Sequence, residues 1–186
     1  MMTGDTKDKL IEATKKLLLS SKAPKKITAR QISSEANVNL AMINYCFGSK
    51  DELLKIAIDS IIASEFKQYA ITDISHSPKE KLKKVLYHIC EVTIKYANIT
   101  RLSVPYVLLD APIEIPDEIL PYIKEHFHDT RNEQFCKILA YEVISFLQLI
   151  FYRAEDFYKY SGVNIFNEIQ LKELIDNQVD MLLGGS

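Results

Sequence analysis

Residues 28–54 read TARQISSEANVNLAMINYCFGSKDELL, and the spacing of this stretch decides the fold. Thr28 followed three positions later by Gln31 is a capping box, in which each side chain satisfies the other residue's free main-chain amide. It opens a short helix whose inward residues are Ile32 and Ala36. Asn37 stands where the chain must leave that helix through a left-handed residue, a place that suits glycine best and asparagine next. Val38 fills the space under the turn. Asn39 is an N-cap that accepts from the amides of a second short helix, which buries Ile43. Ser49 with Glu52 repeats the capping box and starts a third, longer helix at once. Two short helices joined by a tight turn are a helix-turn-helix.

The second helix keeps Asn39, Leu40, Met42, Asn44 and Tyr45 for its outward face, and the small Ala41 allows close packing. In this motif that helix lies in the major groove of DNA and its early residues reach base edges. Asparagine pairs with adenine through two hydrogen bonds, and Leu, Ala and Met offer apolar contact to thymine methyls. Backbone contacts surround it: Thr28 at a helix start, Arg30, the Tyr45 hydroxyl and Lys50 are placed for phosphate oxygens. Taken singly, Tyr45 and Met42 are ordinary packing residues, Asn39 a mere cap and Lys50 a solvated charge. The ordered set carries the reading.

This segment, Thr28-Ala-Arg-Gln-Ile-Ser, Glu35-Ala-Asn-Val and Ile43-Asn-Tyr-Cys-Phe-Gly-Ser-Lys-Asp-Glu-Leu, resembles the DNA-binding domain of the tetracycline-repressor (TetR) family over about residues 7–62. The resemblance implies an all-helical homodimer of about nine helices, with a three-helix head joined to a body through the fourth helix. It further implies a four-helix dimer interface built from the last two long helices of each subunit, and repression relieved by a small ligand in the body. Two positions depart from the family pattern. Asn37 replaces a common glycine, and Cys46 stands where a histidine often precedes the phenylalanine, so a phosphate hydrogen bond is missing there.

The rest of the chain agrees with a helical regulator. Its 186 residues are 47% hydrophobic and 26% charged, an ordinary globular composition. The net charge of −2 hides an asymmetry: residues 1–50 hold nine basic and four acidic side chains, and the other 136 hold 14 basic and 21 acidic. A front end at +5 and a remainder at −7 fit a polyanion partner for the front end alone. Cys46, Cys90 and Cys136 are far apart and fit neither a disulfide framework nor a metal site, so reduced cytoplasmic thiols are expected. No secretory leader and no run of about 20 apolar residues stands out. The expected product is soluble, with no membrane partner and no cofactor.

The spacing predicts helices over about 7–21, 77–98, 130–160 and 166–183. The stripe Leu10, Ile11, Ala13, Thr14, Leu17 and Leu18 faces the core of the first. Ser77, Pro78 and Glu80 form a third capping box. Asp117 is placed to cap a helix with Pro121 in its first turn, and four prolines between 105 and 121 keep helices there short. The 130–160 segment is apolar nearly all round, as a helix buried on a second face by another subunit would be.

The division expected is a DNA-binding domain over 1–48 and a ligand-binding and dimerisation domain over 49–186. An apolar pocket with a few convergent polar groups is the usual ligand site. Tyr87, His88, Tyr96, Arg101, Tyr106, Phe127, Arg131, Tyr141 and Gln148 are its candidates, although most aromatics in a helical body are simply core. His126 and His128 do not share a helical face as metal ligands would. No nucleophile–base pair, phosphate loop or paired carboxylates mark an enzyme. A rival reading is a helical ligand-binding or adaptor protein whose head meets a protein.

Overall fold

The computed structural model describes residues 2–67, 76–128 and 130–184. It contains helices α1 (Met2–Ser20), α2 (Ala29–Glu35), α3 (Ala41–Phe47), α4 (Lys50–Lys67), α5 (Pro78–Lys95), α6 (Ala97–Leu109), α7 (Leu120–Phe127), α8 (Glu133–Tyr152), α9 (Ala154–Ser161) and α10 (Glu168–Leu183). Single 3-10 turns occupy Pro24–Lys26 and Ile115–Glu118, and every regular element among the described residues is helical. The all-α expectation holds, with ten α-helices among the described residues where about nine were expected.

The chain divides into two compact units, one from the described residues of 1–70 with 96–103, the other from those of 71–95 with 104–186. The expected boundary after residue 48 falls inside the first unit. The reason is packing: Leu53, Leu54, Ala57, Ile58 and Ile61 of α4 share one core with Leu10 and Leu18 of α1, Ile32 of α2 and Ile43 of α3. Ile99 of α6 belongs to the same cluster. Burying each of these leucine and isoleucine side chains contributes about 1.5–3 kcal/mol, and the Ala57 methyl less. The α1 stripe is as expected, with Leu10, Ala13, Thr14 and Leu18 buried. The Thr14 hydroxyl, buried with them, donates to the Leu10 carbonyl at 2.6 Å.

Two boundaries differ from the spacing. The helix expected to run through residue 98 stops at Lys95, and Tyr96 turns out of it into the first unit, where its hydroxyl donates to Glu65 Oε1 at 2.5 Å. The helix expected over 130–160 divides at Arg153, whose amide closes α8 on the Leu149 carbonyl at 2.9 Å. Its guanidinium then pairs with Asp156 at 3.1 Å in the first turn of α9. Asp117 lies within a 3-10 turn rather than at a helix cap, and Pro121 sits in the first turn of α7 as expected.

In the second unit α5 packs on α7 and α10, and α8 on α7, α9 and α10. Charged pairs stitch α5 to α10. Lys79 and Lys83 reach Asp180 at 3.0 and 2.7 Å, and Lys83 also meets Asp176 at 3.6 Å. These two lysines hold the Asp180 carboxyl below its ordinary range. The last carbonyls of α10 are capped from other helices: His126 Nε2 donates to Leu183 at 3.1 Å and Lys79 Nζ to Gly184 at 2.9 Å.

α8 buries Cys136, Leu139, Ala140, Val143, Ile144, Leu147, Ile150 and Phe151. It leaves Ile138, Tyr141, Leu149 and Tyr152 exposed on the other side. Sequence alone marks no membrane span, yet α8 is long and apolar enough for one by length and composition. In its most apolar window 44% is buried against the rest of the chain.

Candidate nucleic-acid interface

The capping box of α2 forms as expected. Thr28 Oγ1 accepts from the Gln31 amide at 3.2 Å, and Gln31 Oε1 accepts from the Thr28 amide at 2.8 Å and from its hydroxyl at 3.0 Å. A phosphate at Thr28 would therefore share a hydroxyl already engaged with Gln31. Ile32 is fully buried beneath this helix, and Arg30 is exposed. At the other end Glu35 is held by Lys16 of α1 at 2.5 Å.

The turn between α2 and α3 closes tightly: the Asn37 amide donates to Ser34 at 3.2 Å and the Val38 amide to Ser33 at 3.0 Å. Asn37 has φ 52°, the left-handed conformation its position in the sequence demands. Asn39 Oδ1 accepts from the Ala41 amide at 2.8 Å, and its main-chain carbonyl accepts from Met42 at 2.9 Å. The helix proper begins one residue later than expected, with Leu40 as the flanking residue, but the cap comes from the asparagine.

Ile43 is 1% exposed and pins α3 to the core. Asn39, Leu40, Ala41, Asn44 and Tyr45 are exposed, Tyr45 at 74%. Met42 differs from the expected outward face: it is half-buried and packs against the core cluster beside Ile43. Cys46 and Phe47 are half-buried, with Phe47 against the same cluster. Gly48 ends α3 with φ 75°, a conformation L side chains resist. Ser49 Oγ then accepts from the Glu52 amide at 3.1 Å, starting α4.

Lys50 is only half-exposed. Its Nζ donates to the Ile27 carbonyl at 3.4 Å and lies 3.3 Å from the Asp51 carboxylate. The sequence places Lys50 outward as a backbone contact, and nothing in its local spacing marks a carbonyl 23 positions away as its neighbour.

This arrangement, a three-helix head in which α3 rests on α1 and α4 and shows a mixed amide, apolar and phenolic face, has a counterpart among solved structures. A TetR-like transcriptional regulator from Rhodococcus sp. RHA1 aligns over 97% of this chain and 97% of its own, with a TM-score of 0.53 and 15% sequence identity. The chain has the TetR-like fold. No family model matches the sequence, and no curated protein does.

The candidate ligand residues are distributed over both units of this TetR-like fold. Tyr96 and Arg101 belong to the first, and Arg101 keeps a buried Nε with no hydrogen-bond partner among the described residues. The others belong to the second. Phe127 and Arg131 come together: the guanidinium lies 6.0 Å from the Phe127 ring and 4.9 Å from Phe135, and the two rings meet edge to face at 5.6 Å. Burial, then the Glu168 carboxylate that Tyr87 hydrogen-bonds, raises the Tyr87 hydroxyl above its ordinary pKa. His88, Tyr106 and Gln148 are half-buried, whereas Tyr141 stands exposed on the outer row of α8. Among the described residues no cluster of His, Cys, Asp or Glu has the makings of a metal site.

Proposed function

We propose that this chain is a DNA-binding transcriptional regulator of the TetR type, acting as a homodimeric repressor in the cytoplasm. The exposed face of α3 carries the proposal. Leu40 at the start of α3 is 43% exposed and Tyr45 74%, while Ile43 on the opposite side is 1% exposed, an arrangement folding alone does not require. In this reading α3 lies in the major groove, Asn39 and Asn44 meet base edges, and Leu40 and Ala41 meet thymine methyls. Met42 adds the part of its side chain that the core leaves free. Thr28, Arg30, Tyr45 and Lys50 hold the phosphates on either side.

The dimer rests on the outer rows of α8 and α10. Ile138, Tyr141, Leu149 and Tyr152 continue one stripe on α8, and Ile169 and Met181 of α10 are 70% and 72% exposed. Apolar side chains in such a row are what a second copy would cover. Two heads then enter successive major grooves about 34–36 Å apart. A small ligand in the body relieves repression by preferring the dimer conformation whose heads miss that spacing; its effect is limited to its differential affinity for the two states. Tyr87, His88, Tyr96, Arg101, Tyr106, Phe127, Arg131, Tyr141 and Gln148 remain the candidates for that ligand.

Selection of bound fragments from the host's genomic DNA tests the reading. A regulator enriches a two-fold symmetric site, and its affinity for that site falls steeply between about 50 and 200 mM salt. Recovery of no preferred fragment, or binding indifferent to salt, rejects the proposal. Titration of the recovered site with and without candidate effectors then tests the ligand switch.

A further inference from the structure

The turn between α1 and α2 has more structure than a connection needs. Pro24 and Ile27 are both buried, one on each side of Lys25 and Lys26. The Lys26 amide donates to Ala23 at 2.9 Å, the Ile27 amide to Pro24 at 3.1 Å, and the Ala23 amide to Ser21 Oγ at 3.1 Å. Two anchors and three hydrogen bonds thus fix the main chain of a turn whose two lysines are exposed. Neither lysine, nor the exposed Lys22 before them, is paired with an acid among the described residues.

Charge along this stretch is one-sided. Between Ser21 and Lys50 there are five cations and one carboxylate, Glu35, and that carboxylate is already held by Lys16. Position completes the argument. The Lys50 ammonium, immediately beyond α3, donates to the carbonyl of Ile27, the residue that follows the turn. The lysines therefore sit beside the corner where α3 passes into α4, and the chain leaving them becomes the first turn of α2, the helix that crosses the phosphate backbone in this motif.

We propose that Lys25 and Lys26 form a second phosphate grip of the head, binding the sugar–phosphate backbone of duplex DNA outside the bases that α3 reads. The inference rests on the DNA-binding reading above. Lysine ammonium groups act as point charges without the planar fork that arginine uses to read guanine, so the grip adds affinity and salt dependence but no sequence preference. Because the turn is fixed before DNA arrives, little main-chain entropy is lost on binding.

The test is a salt titration with random-sequence duplexes and with the best fragment selected from them. The double variant Lys25→Ala with Lys26→Ala should shallow the dependence of log affinity on log salt by about 0.9 for each phosphate no longer neutralised, about 1.8 per head. The wild-type advantage then shrinks roughly twelvefold per head between about 50 and 200 mM salt. The selected sequence should not change, and Lys25→Arg with Lys26→Arg should restore the slope. Lys124→Ala with Lys137→Ala removes the same net charge from the second unit and should leave the slope as it is. A slope in the turn variant equal to wild type or to that control overturns the grip alone, as does a changed sequence preference. Wild-type protein that binds no duplex at low salt overturns the regulator reading and the grip with it.

Discussion

Lys50 donates from Nζ to the main-chain carbonyl of Ile27 at 3.4 Å, tying the first residue of α4 to the approach of α2. The bond is long by the standards of N–H···O geometry, and Asp51 competes for the same ammonium at 3.3 Å. This lysine therefore has a structural use weak enough to be shared with a phosphate.

Lys50→Ala accordingly has two separable effects. Stability falls by no more than about 1 kcal/mol in denaturant titration, because a single long hydrogen bond at a half-exposed site contributes little. DNA affinity falls by the same factor on every sequence, with a salt slope shallower by about 0.9 per head. An altered sequence preference would mean that Lys50 reads a base, and a large loss of stability that the Ile27 link is the main role.

Asn39 combines a cap with a proposed base contact, and substitution can part them. Asn39→Ala removes the acceptor for the Ala41 amide and costs about 1 kcal/mol of stability, as removal of a cap usually does. Asn39→Asp keeps an acceptor at the same place and suits the positive end of α3, so the thermal midpoint should hold or rise. Its negative charge faces the groove, however, and the adenine-type donor is gone. Affinity for the selected site should drop at least tenfold, since a bidentate base contact is worth about 1–3 kcal/mol. Wild-type DNA binding by Asn39→Asp would leave the residue a cap and nothing else.

What the sequence discloses and what it hides follow from the range of the interactions. The helix starts at Thr28, Ser49 and Ser77 are written in residues three apart, and the turn at Asn37 in one residue's tolerance for positive φ, so local spacing suffices for them. Met42 is different: one step from Ile43 on a short helix, its burial depends on where α3 lies on the core. The link from Lys50 to Ile27 and the turning of Tyr96 toward Glu65 join residues 23 and 31 positions apart, and no periodicity marks either. The Arg153 break lacks both proline and glycine, the two residues that punctuate helices visibly. The aromatic and polar residues of the body are legible as a type but not as a site, because a pocket is made by packing between helices.

Asn37 offers a direct check on the turn. At φ 52° an asparagine is strained less than most L residues, and glycine least of all. Asn37→Gly should leave stability within about 1 kcal/mol of wild type, with the gain in the folded turn offset by the freer unfolded chain. Asn37→Val should cost more than about 1 kcal/mol, because a β-branched residue is an outlier in that region. Equal stability of the valine variant in thermal and denaturant unfolding would show that the turn relaxes to negative φ.

The three cysteines should differ in reactivity. Burial first, and the Glu91 carboxylate second, push the Cys90 thiol up to about 12. The neutral thiol therefore persists through the alkaline range in the folded chain, whereas the unfolded chain loses its proton near the ordinary value of about 8.5. The stability this contributes is complete below the unfolded value and declines as pH rises toward the folded one. In a disulfide-exchange titration near pH 8, the half-buried Cys46 should react in the native protein, the equally half-buried Cys90 only slowly because its thiol stays protonated, and the buried Cys136 only on unfolding. Rapid native labelling of Cys90 would contradict the burial that raises it.

The dimer proposal turns on the outer row of α8. Leu149 is 47% exposed and lies on the same stripe as Ile138, Tyr141 and Tyr152. In a lone chain Leu149→Glu is a surface change, within about 0.5 kcal/mol of neutral. In a two-fold interface the same substitution occurs twice, and a buried charge without a partner costs about 3–5 kcal/mol. Sedimentation at micromolar concentration should therefore give a dimer for wild type and a folded monomer for the variant, with helix content unchanged. Binding to a two-half-site fragment should fall far more than binding to a single half-site, because only the link between the heads has been cut. A variant that remains dimeric would move the interface away from this row, and a wild type that is monomeric would leave the exposed apolar side chains of α8 and α10 without the partner proposed for them.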